Sequence, residues 1–136
     1  MTIAYEDKDL LWFIAEGTAG TVGEEFFQRL VEHTAQAFRA DVAFVAELLP
    51  DAPGYARFLA GWEGGSLTDP LQYCVEGTPC AEIVAGADVV SYPSGIRERF
   101  PTDELLVDLG LEGYLAVAMR GFDGQTWSMA LNSARP

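Results

Sequence analysis

Gly77-Thr78-Pro79-Cys80 opens a stretch that runs through Asp88-Val89-Val90-Ser91-Tyr92-Pro93 and Ile96-Arg97-Glu98-Arg99-Phe100-Pro101-Thr102-Asp103-Glu104-Leu105-Leu106. It ends in Leu109-Gly110 and Gly113-Tyr114-Leu115-Ala116-Val117. The punctuation predicts structure. Thr78 stands where a helix N-cap belongs, with Pro79 at the first helical position and Gly86 just past the C-terminus. Pro101-Thr102 starts a second short helix, which Gly110 closes in the same way. Two short helices therefore bracket a strand around Val89–Tyr92, and a third element, apolar on both faces, follows them.

Upstream, Leu10, Leu11, Phe13 and Ile14 fall at helical spacing within residues 7–16, after an acidic start that suits a helix N-terminus. Gly17-Thr18-Ala19-Gly20 breaks that helix as a hinge. Thr21 followed by Glu24 is a capping-box signature for a longer helix, whose apolar face is Phe27, Leu30, Val31, Thr34 and Phe38. Val42–Ala46 is apolar on both faces, as a central strand covered on each side must be. Pro50–Gly54 turns the chain into Arg57–Trp62, and Leu71–Val75 is a short alternating segment. Downstream, Asp123-Gly124 signals a hairpin between Tyr114–Arg120 and Trp127–Leu131. Hairpin-joined strands with two apolar faces call for an antiparallel sheet under helices on both sides, an α+β arrangement.

A chain of 136 residues fits one domain, and its 49% apolar content is that of a protein with a buried core. No apolar run reaches the length of a membrane span and no signal peptide opens the chain, so a cytoplasmic location is expected. The net charge of −13 repels phosphate backbones and anionic headgroups, which disfavours nucleic-acid and membrane binding. Two cysteines, Cys74 and Cys80, are too few for a disulfide scaffold or a cysteine zinc site.

Gly77–Cys80, Tyr92–Ile96, Phe100–Leu106 and Gly110–Leu115 together resemble GAF domains of bacterial signalling proteins, such as sensor histidine kinases and diguanylate cyclases. They correspond, in order and at plausible spacing, to a G-T-P-C helix start, a Y-P-x-G-[IV] stretch, an F-P-x-D-x-x-L helix and a G-x-x-[SG]-Y-L strand. No piece is specific alone; the ordered set is. The resemblance runs more loosely back to about Thr18 and forward to Pro136. It implies a central antiparallel sheet of about five to six strands with helices on both faces. One domain over 1–136 is expected, with an N-terminal helix over 1–17 and the core over 18–136. Asn132–Pro136 reads as the exit of the last strand, where the family continues into a linker helix, so an excised fragment or a trimmed domain is expected. The family often has a glycine near Ser128.

The residues offer little catalysis. Cys80 at the second position of a helix could be a thiolate, but a lone cysteine without a base reads first as a small buried hydrophobe. His33, the single histidine, has no second ligand beside it and reads as a partly exposed helix residue. No Gly-x-Ser-x-Gly elbow and no Gly-x-x-x-x-Gly-Lys loop occur. Asp88, Asp103 and Asp108 with Cys80 could hold iron, but scattered acids are usually solvated. No catalytic and no metal residues are therefore assigned. Lys8 is the single lysine and Asn132 the single asparagine, so the N-K-x-F motif of cyclic-nucleotide GAF domains is absent. Val75 follows Cys74 and Ala81 follows Cys80, whereas bilin-carrying GAF domains attach chromophore at a cysteine followed by histidine.

An apolar pocket remains. The resemblance places ligands between the sheet and the small helices, and Phe58, Trp62, Tyr73, Cys80, Ile83, Tyr92, Phe100, Leu105 and Tyr114 are the candidate lining. The three tyrosines lead, because a buried phenol needs a partner. Arg97 and Arg99 are candidates for the mouth, to meet an acidic group. The expectation is a non-catalytic sensory or regulatory module with an unidentified small-molecule ligand, a homodimer attached to a kinase or cyclase output domain. The alternatives are a ligand-free dimerisation module and a GAF-fold thiol reductase acting on free methionine sulfoxide. No cofactor is specified.

Overall fold

Phe27, Leu30, Val31, Thr34 and Phe38 recur at helical spacing, and in the computed structural model they form the buried face of helix α1 (Glu24–Phe38). The structure describes residues 5–9, 11, 24–68, 72–120 and 125–134. The expected hinge at 17–20, the Thr21 cap and the Asp123-Gly124 turn lie outside them. So do Leu10, Phe13 and Ile14 of the expected first helix, although Leu11 is described and is fully buried against α1. His33 stands exposed on α1. Among the described residues no helix is long and apolar enough to cross a membrane.

Seven strands follow: β1 (Val42–Leu48), β2 (Tyr55–Glu63), β3 (Ser66–Thr68), β4 (Gln72–Cys74), β5 (Val89–Tyr92), β6 (Gly113–Arg120) and β7 (Thr126–Ser133). They form one antiparallel sheet in the order β3-β2-β1-β7-β6-β5, and β4 pairs with the other end of β2's outer edge. The two-sided apolar patterns of β1 and β6 have the expected cause, since both are interior strands covered on each face. Three short helices lie in the second half: α2 (Cys80–Val84), α3 (Ile96–Arg99) and α4 (Glu104–Asp108).

The two faces of the sheet are built differently. Helix α1 packs on Val45, Leu115, Val117, Met119, Met129 and Leu131, a layer of large side chains. The opposite face presents Ala46, Ala56, Ala116, Ala118 and Ala130 to α2, α3 and α4. Small sheet residues let short helices settle close, each contributing one or two anchors, here Cys80 and Ile83, Ile96, and Leu106.

Two details correct the expectations from sequence. Thr78 does not cap α2: its hydroxyl donates back to the Val75 carbonyl at 2.7 Å, closing the turn through Gly77, and Pro79 takes the cap position without a side-chain bond. The second short helix begins at Glu104 under an Asp103 cap, not at Pro101-Thr102, and a separate single turn, α3, precedes it.

Candidate functional site

A bulge in β2 decides which side chains reach the site. Val45 pairs with Ala60 and Ala46 with Phe58, so Leu59 is the extra residue. The alternation of sides therefore shifts by one. Ala56 and Phe58 face the short helices, whereas Ala60 and Trp62 face α1. Strict period-two spacing puts Phe58 and Trp62 on one face; the bulge separates them, and Trp62 leaves the candidate site.

Beneath α2 and α4 the sheet holds a cleft of about 550 Å³. Its apolar wall comes from Phe44, Phe58, Tyr73, Leu105, Leu106 and Tyr114. Phe44 and Phe58 have ring centroids 4.6 Å apart, and Phe58 and Tyr73 4.9 Å, so three rings form a continuous tilted surface. Cys80 lies at its base. The Tyr73 hydroxyl is 3.2 Å from the Cys80 sulfur in a hydrogen bond, and the Tyr114 hydroxyl reaches the same sulfur at 4.0 Å. Both phenols thus find the partner that burial demands. Burial, the largest influence, raises the Cys80 thiol and outweighs the bonds from Tyr73 and Tyr114 that favour ionisation. Cys80 is thus the small buried residue that the sequence suggests, and a thiolate is disfavoured because five residues of helix offer little dipole against full desolvation. Tyr73 and Tyr114 are likewise held protonated, first by burial and then by Cys80. Cys74 is exposed, and both cysteines are free thiols.

The polar groups of the cleft are of one charge sign. Glu63, Glu76, Asp103 and Glu104 line it, and among the described lining residues there is no Lys, Arg or His. Asp103 accepts from the Leu106 backbone N–H at 3.5 Å as the α4 cap, while burial raises its carboxyl above the usual aspartate value. Thr102 borders the rim, and its hydroxyl lies where a side chain on Gly77 would begin: a Cβ there would stand 2.6 Å from it, and Gly77 has φ +79°. The glycine of the G-T-P-C turn is therefore required twice, for its left-handed backbone and for the approach of the 101–103 loop.

Asn132 is the residue that sequence reasoning passed over. It sits on β7 between Val42 of β1 and Tyr114 of β6, facing the short helices, and forms part of the cleft wall. Its backbone carbonyl accepts from the Asp41 N–H at 2.9 Å. Its side chain is 0% exposed, and among the described residues neither Oδ1 nor Nδ2 has a hydrogen-bond partner. A buried amide with two unmet groups is costly without a ligand or water to meet it. The signal was present: a lone amide in a strand whose two faces are both covered.

The remaining candidates lie elsewhere. Ile83 is buried beside the cleft without lining it. Tyr92 and Phe100 meet edge-to-face at 5.9 Å, Tyr92 donates to Glu82 at 2.6 Å, and the Arg99 guanidinium stands 5.2 Å over the Tyr92 ring. Arg97 is engaged by Glu112, which also accepts from the Gly95 N–H at 3.2 Å. Neither arginine lines the cleft. Asp88 lies 3.5 Å from Arg120, and among the described residues no three His, Cys, Asp or Glu side chains gather as metal ligands.

No family model matches the chain, and no curated protein matches it. Solved structures do. The GAF domain of an Acinetobacter phosphoenolpyruvate-protein phosphotransferase aligns over 98% of this chain and 81% of its own at 14% identity, with a TM-score of 0.64. The phycocyanobilin-bound GAF domain of a cyanobacterial phytochrome aligns over 98% and 82% at 12% identity, TM-score 0.62. The GAF domain of a phosphoenolpyruvate-protein phosphotransferase from Coxiella burnetii aligns over 93% and 77% at 11% identity, TM-score 0.58. Sequence identities this low speak to architecture, and the architecture of this chain is the GAF fold.

Proposed function

We propose that this chain is a non-catalytic sensory or regulatory domain that binds a small molecule between the sheet and helices α2 and α4. The observation that carries the reading is Asn132, a fully buried amide with both polar atoms unmet in the wall of a ligand-sized cleft. A fold neighbour that holds phycocyanobilin illustrates that this architecture accommodates a small molecule. Occupancy would reach the rest of a signalling protein by biasing the packing of α2 and α4, which rest on few anchors. A homodimer and an attached kinase or cyclase output domain complete the proposal.

Thiol reductase chemistry is the weaker reading. Cys80 is buried as a thiol against Tyr73, and a nucleophile needs the thiolate.

Native against denaturing mass spectrometry of the purified protein tests the proposal, before and after equilibration with a small-molecule extract of the producing cells. The expected result is added mass that is lost on denaturation and absent from an Asn132→Leu variant. Bare protein under every condition, with variant and parent alike, would refute a ligand-binding role.

A further inference from the structure

The chemistry of the cleft narrows what it takes. We propose that its ligand is a small organic cation: an ammonium or guanidinium group on a compact apolar body, presenting a hydrogen-bonding edge to Asn132. This rests on the cleft being a ligand site, and adds a charge class to it.

Three observations converge. The tilted ring surface of Phe44, Phe58 and Tyr73, with centroid spacings of 4.6 and 4.9 Å, offers π faces that attract cations and cover the apolar part of a ligand. Glu63, Glu76, Asp103 and Glu104 supply negative charge with no Lys, Arg or His among the described lining residues, so an anion entering would meet repulsion and no counter-charge. Asn132, 0% exposed, holds an unmet acceptor, Oδ1, in the same wall, which an N–H of the cation or of its ring can meet. Asp103 adds support: burial already makes its charge costly, and a bound cation relieves that cost. The net charge of −13 gathers cations toward the whole surface, but the rings and the amide are local to this cleft.

The test uses three probes that share an indole ring and differ in charge: tryptamine, neutral tryptophol and anionic indole-3-acetate. Each is titrated into the ¹⁵N-labelled full chain, with binding read from amide shifts of Asn132, Tyr114 and residues 103–106. Tryptamine is expected to bind about tenfold more tightly than tryptophol, the scale of a desolvated cation–π contact joined by a carboxylate. Indole-3-acetate is expected not to bind. The advantage of tryptamine should shrink in Asp103→Asn, whose amide keeps the helix cap, and the same spectrum reports that the variant is folded. Tryptophol or indole-3-acetate shifting the cleft as tightly as tryptamine would overturn the cation while leaving the cleft a ligand site. No cleft shift from any probe would overturn the cation, while the added mass in the native spectrum decides separately whether the cleft is a ligand site.

Discussion

Replacing Asn132 with leucine should make the empty protein more stable and leave it unable to respond to ligand. The two side chains have the same number of heavy atoms and the same branch point, so the cleft wall keeps its shape to first order. What changes is that two unmet polar atoms, closed from solvent on β7, become methyl groups. An unsatisfied buried polar group costs about 1–3 kcal/mol, and an apolar replacement of similar shape removes that cost. Unfolding entropy of about 2.1 cal/mol/K per residue over 136 residues amounts to about 0.29 kcal/mol/K, so the melting temperature should rise by about 3–10 °C. The assay is thermal unfolding by circular dichroism, on protein refolded from urea to strip bound small molecules, with urea titration as a second measure. A melting temperature that falls in Asn132→Leu would mean that the amide has hydrogen-bond partners in the empty protein. That result would remove the main reason for placing a ligand in the cleft.

Gly77→Ala should lower stability by more than about 1–2 kcal/mol, the cost of a Cβ in left-handed backbone alone. Thr102→Ala in the same chain should restore only the part due to the 2.6 Å approach, leaving the part due to φ +79°; urea midpoints of the single and double variants measure both. In the folded protein a thiol reagent at neutral pH should modify Cys74 and spare Cys80, which becomes reactive on unfolding; equal rates would contradict the burial of Cys80 against Tyr73. Asp103→Asn should raise stability at pH 7. Burial lifts the folded carboxyl above its unfolded value near 3.8, so ionisation weighs against folding, increasingly as pH rises from the unfolded value through the folded one. Below the unfolded value both forms are neutral and the advantage should vanish; an advantage that persists there would assign it to the cap rather than the charge.

The layered architecture was legible in the chain because burial leaves a periodic trace. The face of α1 follows from Phe27, Leu30, Val31, Thr34 and Phe38, and the interior positions of β1 and β6 follow from runs apolar on both faces. The ordered motifs between Gly77 and Leu115 pointed to a GAF arrangement, which the structure has. Gly86 and Gly110 end their helices in left-handed or extended positive-φ backbone, as a residue without Cβ can. α3 left no such trace, since a single turn is too short to display a period of 3.6.

The composition of the site is a different matter, because it depends on which way each strand turns its side chains and on what lies across from them. Phe58, Tyr73, Cys80, Leu105 and Tyr114 meet in one cleft, while Trp62 is carried to the opposite face by one unpaired residue in β2. A bulge comes from pairing between strands, so nothing in Arg57–Trp62 alone reveals it. Asn132 reads in sequence as the polar end of the last strand; only the neighbours brought beside it by β1 and β6, Val42 and Tyr114, make it a buried amide without a partner. Local periodicity thus marked α1, the interior strands and the layers they form, but not the single turn α3 or the starts of α2 and α4. The unmet hydrogen bonds and the single sign of charge in the cleft were decided by tertiary structure, which gathers residues from β1, β2, β4, α2, α4, β6 and β7 around one space.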